Sequence, residues 1–287
     1  MAETLSQTAP AADPHPAARP GAARIETFGL ILGGMKCGST SLYDYLVTHP
    51  QVARCRVKEP NFFSVPKGRG PEYYPTLWRD FDPARHKVAL EASVSYTKLP
   101  RYGATSAEIE AYRRHTGAAF RMLYIMRNPI DRAESHIAHN ISKGRCSHDD
   151  YSSVMRLAID TSRYAMQLAR YHKLAGPDGL LLLNFDELRR DPQALLQRSA
   201  RFLGLDDFTF EIRPPSNVRS AVNDSTSFRL PPVERAWVRA ALAEDMGTLG
   251  RKYGFDVSGW GFRAAGPGKG GRKPKGRRRA ARMAAEA

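Results

Sequence analysis

Residues 28–46 read FGLILGGMKCGSTSLYDYL, and this stretch decides the fold. Residues 28–32 are a short apolar run of the buried-strand type. Residues 33–39 are rich in glycine and carry one lysine, Lys36. From Ser39 onward Leu42, Tyr45 and Leu46 recur at helical spacing, so a helix starts there. Strand, glycine-rich turn and helix start together present backbone N–H groups and a helix N-terminus to an anion. Lys36 adds a mobile positive charge. The stretch predicts a phosphate cradle.

Working outward, the chain alternates strand and helix patterns. Buried strands are expected at 87–92 (KVALEA), 120–126 (FRMLYIM) and 179–184 (GLLLLN), with a weaker candidate at 51–55. Helices are expected at 105–115, with Thr105 or Ser106 as N-cap, and at 161–175. Another starts at Pro129 with Asn128 as cap. Its stripe is Ile130, Ala133, Ile137, Ala138 and Ile141, which leaves Arg132, Ser135 and His139 on the other side. Asp191-Pro192 opens a helix that Gly204 ends, and Pro231 or Pro232 starts a last one running to about Gly250. Residues 66–83 read as an irregular, aromatic-rich excursion, either packing or a cleft wall. The alternation predicts an α/β fold with a central, mainly parallel sheet flanked by helices. Ligands of such sheets bind outside the carboxyl ends of the strands. That rule gathers Lys36 and Ser39 after the first strand, Ser93 after the next and Arg127 after the third.

The chain has 287 residues and a net charge of +15. The charge is uneven, since residues 263–287 hold nine Lys or Arg against one Glu, a net +8. Three domain-level segments are expected: a disordered Ala/Pro-rich stretch at 1–24, a folded domain at 25–262, and a basic low-complexity tail at 263–287. Cys37, Cys55 and Cys146 offer neither a disulfide framework nor paired metal spacing, which suits reduced thiols and a cytoplasmic location. No apolar run approaches the roughly 18 residues that span a bilayer, and no hydrophobic leader follows Met1.

The loop is not a Walker A loop. That pattern places Lys directly after the last Gly and before Ser or Thr, whereas Lys36 here precedes Gly38. No strand ends in a clear Mg²⁺-binding Asp either. The strand at Leu90 ends in Glu91 and the one at Ile125 in Arg127, so the site reads as metal-free.

GGMKCGSTSL resembles the 5′-phosphosulfate loop of sulfotransferases that use 3′-phosphoadenosine 5′-phosphosulfate (PAPS). YIMRNPIDRAESHIAH resembles their 3′-phosphate segment, with Arg and Ser eight residues apart. KEPNFF and LEASVSY are similar to further segments of the heparan-sulfate-type, Golgi-like branch and its bacterial relatives. LLLLNFDELRRDPQALLQRSARFLGL resembles the second half of the family domain, and together the segments cover about residues 28–260. The resemblance implies a P-loop-like sulfotransferase fold and sulfuryl transfer from PAPS, as co-substrate and without metal, to a hydroxyl or amine. It implies that Lys36 stabilises charge on the departing 5′-phosphate. Backbone N–H groups of Cys37, Gly38, Ser39, Thr40 and Ser41, with the Ser39 and Thr40 hydroxyls, would hold that phosphate. Arg127 and Ser135 would hold the 3′-phosphate.

The resemblance assigns the base to Glu59, with Lys58 beside it. Burial against Phe62 and Phe63 would help raise that carboxylate from its free pKa of about 4.3. A histidine, His136 or His139, is the competing base. The family's Lys-Gly-Arg stretch before the last helix is missing, and Arg219 or Arg229 is the candidate replacement. Cys37 stands in the loop where small residues are usual. The expected acceptor is a small molecule or glycan, and no nucleic-acid partner is expected. Two rival readings stay open: a P-loop small-molecule kinase, and a non-enzymatic nucleic-acid binder acting through the basic tail.

Overall fold

Thr27–Ile31 (β1), Val52–Arg54 (β2), Val88–Ala92 (β3), Ala119–Met126 (β4) and Leu180–Asn184 (β5) form one sheet in the order β2-β3-β1-β4-β5. Every pairing in it is parallel. The computed structural model describes residues 24–65, 68–176, 178–213 and 228–263. Most of the proposed N-terminal segment and basic tail, and Arg219, lie outside the described residues. Helices cover the sheet: Ser39–Leu46 (α1), Thr105–Thr116 (α2), Pro129–Ile141 (α3), Ser152–Ser162 (α4), Tyr164–Ala175 (α5), Phe185–Arg190 (α6), Pro192–Phe202 (α7) and Pro232–Tyr253 (α8).

The central strand is β1, and its register places the site. Ile31 pairs with Ala92 on one side and Leu123 on the other. Beyond β1 the ladder continues, because the N–H groups of Leu32 and Gly34 donate to the carbonyls of Leu123 and Ile125 at 2.8 and 3.1 Å. The glycine-rich turn is thereby held against the overshooting end of β4, where Arg127 follows.

The excursion at 66–83 is mostly packing. A 3-10 turn at Pro71–Leu77 sends Tyr74 and Leu77 inward, and Trp78 follows them. Phe28 of β1 meets Tyr74, Trp78, Tyr112 and Phe120 at ring-centroid distances of 4.9, 5.3, 6.0 and 5.5 Å. Losing such a ring from a core costs about 3–5 kcal/mol, so this cluster anchors one wall of the domain.

Several local expectations are corrected. In α1 the buried tyrosine is Tyr43, while Tyr45 is half-buried and donates to the Arg213 carbonyl at 2.5 Å. Helix α2 is capped by Ala104 without a side-chain bond, because the Thr105 hydroxyl donates to the Tyr102 carbonyl instead. The helix expected at 161–175 is α5, which starts at Tyr164; α4 precedes it where no helix was expected, and the two are separated at Arg163 with ψ 75°. The start of α5 is capped from far away in sequence: Asp245 of α8 accepts from the N–H groups of Ala165 and Met166, both at 2.9 Å. Periodicity within 161–175 contains no trace of that carboxylate. Asn128 and Asp191 do cap α3 and α7, through Ile130 N–H and Ala194 N–H.

Candidate active site

The glycine-rich turn carries two left-handed residues, Lys36 (φ 68°) and Gly38 (φ 84°). Glycine is required at 38, since a Cβ there would also lie 2.6 Å from the Phe185 ring. The Cys37 N–H closes the turn onto the Gly34 carbonyl at 3.0 Å, so it is not free for an anion. The first intrahelical donation of α1 runs from Leu42 N–H to the Gly38 carbonyl. The N–H groups of Ser39, Thr40 and Ser41 are therefore the unpaired first-turn donors that a helix start offers to an anion. The Ser39 side chain is buried and those of Thr40 and Ser41 are half-buried. Lys36 makes no ion pair among the described residues. Burial, and then the Arg127 charge, hold its pKa below the usual lysine value.

Cys37 points inward and is fully buried, with its sulfur 3.7 Å from the Tyr164 hydroxyl. Burial pushes its thiol pKa up. The same tyrosine hydroxyl donates to the Arg127 carbonyl at 2.7 Å. One buried phenol thus ties the turn after β1 to the turn after β4. The Arg127 guanidinium lies over the Phe185 ring at 5.2 Å. Ser135 lies two turns into α3, half-buried, and next to it Glu134 anchors Arg235 at 2.9 Å and Arg229 at 3.6 Å.

Glu59 and Asn61 are also left-handed, at φ 51° and 54°. A hydrogen-bond network holds this turn. The Asn61 side-chain amide donates to the Glu59 carbonyl at 2.6 Å, and its backbone N–H donates to Ser93 Oγ at 3.1 Å. Ser93 Oγ donates in turn to the Glu91 carboxylate at 2.5 Å, which also accepts from the Tyr74 and Tyr96 hydroxyls at 2.9 and 2.7 Å. Glu91 is wholly buried. Burial pushes its pKa up, the three hydroxyl bonds pull it down, and the Glu59 charge adds to the upward push. Glu59 and Lys58 share a small cavity with Ser39, Thr40 and Ala92, which brings the proposed base to the first turn of α1. On the other side of the same segment a cavity of about 410 Å³ is lined by Glu59, Phe62, Arg69, Tyr73, Tyr112 and His115. Phe63 packs into the core.

Sequence reasoning missed how much polarity α3 buries. Arg132, Glu134, His136 and Asn140 are all buried, although the apolar stripe alone had put Arg132 on the open face. Arg132 donates from Nη1 to the Met35 carbonyl at 3.2 Å, from Nε to Ser162 Oγ at 2.7 Å, and from Nη2 to the Ala158 carbonyl. The only available signal was the placement of a polar residue one turn from a cap, which is too common to decide burial. Lys98 was also missed. It is partly buried, and the field of Glu59 acts on it against desolvation and the charges of Arg101 and Arg132.

The His136 Nδ1 has no hydrogen-bond partner among the described residues. Burial, then the charges of Arg132, Lys98, His139 and Lys36, push its pKa down to about 2. In the unfolded chain it titrates near 6.5. Its contribution to stability is therefore complete above about pH 6.5 and is lost as pH falls toward 2, because only the unfolded chain takes up the proton. The loss is at most about 1.4 kcal/mol per pH unit. Thermal melts of His136→Leu should show a flatter fall in Tm between pH 6.5 and 4.5 than wild type. Parallel curves would show that the buried imidazole is not the titrating group.

The chain matches the sulfotransferase domain family over residues 28–226. Mouse heparan sulfate glucosamine 3-O-sulfotransferase 3A1 is 31% identical over 191 residues, covering 61% of this chain and 45% of that protein. The chain thus spans about half the length of the curated relatives it matches. Among solved structures, a sulfotransferase from Alicyclobacillus acidocaldarius superposes with a TM-score of 0.67 at 26% identity, covering 83% of this chain and 99% of that one. The sulfotransferase domain of the Synechococcus PCC 7002 olefin synthase shares the fold, with a TM-score of 0.50 at 16% identity over 84% of this chain and 99% of that one. With the family model matched over more than half of its length, the chain belongs to the sulfotransferase domain family.

Proposed function

We propose that this chain sulfates a hydroxyl of a saccharide acceptor, with Lys36 and Glu59 flanking the transferred group and Arg127 and Ser135 holding the 3′-phosphate. The observation that carries the reading is the convergence at the carboxyl edge of β1, β3 and β4. There Lys36 lies in the field of Arg127, and Glu59 shares a cavity with the first turn of α1. The residues suit the co-substrate: unpaired first-turn N–H groups for the 5′-phosphate, and a planar guanidinium backed by an aromatic ring for the 3′-phosphate. Glu59 takes the proton of the acceptor hydroxyl as the acceptor oxygen bonds to sulfur. The bond from sulfur to the bridging oxygen breaks, and Lys36 stabilises the charge left on the 5′-phosphate. His136 is a poor rival base, because its surroundings hold its pKa near 2, below that of a free carboxylate.

Two features support a saccharide. The mouse relative named above acts on heparan sulfate glucosamine, by its name. The positive charges of Lys36, Lys143, Arg145 and Lys98 all act on His139, a positive surrounding suited to an acidic sugar. The three free thiols suit a reducing, cytoplasmic setting. A kinase reading is disfavoured by Glu91, whose carboxylate is occupied by three hydroxyls at the strand end where a metal ligand would be needed.

Thermal shift tests the nucleotide half of the reading. Adenosine 3′,5′-bisphosphate should stabilise the wild-type chain with the logarithm of its concentration over its Kd, by about 2.7 kcal/mol at one hundred times Kd, and ATP with Mg²⁺ should do far less. Arg127→Ala should remove most of that shift. An unchanged shift in the variant would move the 3′-phosphate away from β4, and a stronger response to ATP with Mg²⁺ would restore the kinase reading.

A further inference from the structure

Arg132 heads the largest side chains that are fully enclosed, with 0% exposure. It makes no ion pair among the described residues. Its three hydrogen-bond acceptors are the carbonyls of Met35 and Ala158 and the hydroxyl of Ser162, all neutral. The nearest ionisable groups do not supply a counter-charge. Cys37, Tyr124 and Tyr164 are thiol and phenols whose pKa values burial pushes up, and Arg127 is another cation. Lys98 and His136 feel its charge from the same sign. A guanidinium does not shed its proton in a protein, so the charge stays. A buried cation without a partner opposes folding, and interiors normally pair or replace it.

Its position explains why this one is kept. The carbonyl that Nη1 holds belongs to Met35, the residue before Lys36. In a trans peptide the carbonyl and the following N–H point in opposite directions. Pulling Met35 O down onto Arg132 therefore turns the Lys36 N–H away from Arg132. The guanidinium lies within electrostatic reach of Cys37 in the turn, of Tyr164 and of Arg127 at the end of β4. We propose that Arg132 is a positioning residue and the built-in counter-charge of the anion site, its missing partner being the 5′-phosphate group of the bound nucleotide. This rests on the sulfotransferase site described above and assigns to α3 a role at the 5′-phosphate in addition to its Ser135 end.

The test is calorimetric titration of wild type, Arg132→Met and Arg132→Lys with adenosine 3′,5′-bisphosphate and with adenosine 3′-monophosphate, alongside ligand-free melts. Arg132→Met should bind the bisphosphate at least about ten-fold more weakly, and its loss for the monophosphate should be within about two-fold. Its ligand-free Tm should stay within a few degrees of wild type, because relief of the buried charge offsets loss of the donors to Met35, Ala158 and Ser162. Arg132→Lys keeps the charge and should recover the bisphosphate affinity to within about three-fold of wild type. A merely structural arginine would lower the ligand-free Tm in both variants and weaken both nucleotides alike, which would overturn the proposal. Should Arg132→Met fail to fold, Arg132→Lys decides: near-wild-type affinity supports the counter-charge, and a ten-fold loss overturns it. If wild type itself does not bind the bisphosphate, the nucleotide site has failed as a whole; if wild type binds and Arg132→Met binds equally well, only the counter-charge has failed.

Discussion

Lys36→Ala should lower sulfuryl transfer by on the order of 10³ while weakening adenosine 3′,5′-bisphosphate binding by no more than about ten-fold. The asymmetry follows from where the lysine stands. Bound phosphate keeps the unpaired N–H groups at the start of α1, and Arg127 keeps the other phosphate. What disappears is the one mobile charge able to meet negative charge as it grows on the departing oxygen. Interactions made only as that charge develops act on kcat and hardly on binding. The left-handed backbone at Lys36 (φ 68°) is an uncommon choice for a lysine. Because burial and Arg127 hold its pKa below the ordinary lysine value, the rate should decline on the alkaline side before pH 10.5, as Lys36 loses its proton. Lys36→Arg should push that alkaline limb upward even at reduced rate. Measuring PAP release from PAPS with a saccharide acceptor across pH 6–11 checks both. A variant that transfers at more than a tenth of the wild-type rate would remove Lys36 from the chemistry.

Glu59→Gln should abolish transfer by about 10²- to 10⁴-fold and leave the bisphosphate-induced thermal shift intact. Glutamine keeps the size and hydrogen-bonding reach of the side chain but cannot accept the acceptor's proton. The turn that presents Glu59 is held from behind by backbone and side-chain bonds through Asn61, Ser93 and Glu91, none of which uses the Glu59 carboxylate. The substitution therefore removes the charge without releasing the turn. Single-turnover assays with preformed nucleotide complex separate this from a binding defect. Retained transfer would hand the role to His139, the half-buried histidine in the field of Lys36.

The parts of this protein that could be read along the chain are those in which a local pattern has a local cause. Residues 28–32 are apolar because β1 is the central strand, and Asn128-Pro129 and Asp191-Pro192 announce caps because the capping bond closes within three residues. The loop motif was legible for the same reason, since the glycines, lysine and serine that build one anion site are consecutive. Errors arose where the cause is remote. The N-terminus of α5 is made by Asp245, about eighty residues away, so its start was misplaced, and α4 before it was missed. The sequence left Tyr74 and Trp78 open between packing and a cleft wall, and the approach of Phe28 from β1 decides for packing.

By itself, then, the amino-acid sequence determined the parallel α/β class and the glycine-rich turn between β1 and α1, because periodicity, glycine and charge act over one or two turns of chain. Only the tertiary structure decided that Arg132 lies buried without a counter-ion among the described residues, that Glu91 stands behind Glu59 through Ser93 and Asn61, and that the Cys37 N–H is already taken. Burial and hydrogen-bond partnership are properties of which surfaces meet, and in this fold the surfaces that meet at the site come from four strand ends and two helices far apart along the chain.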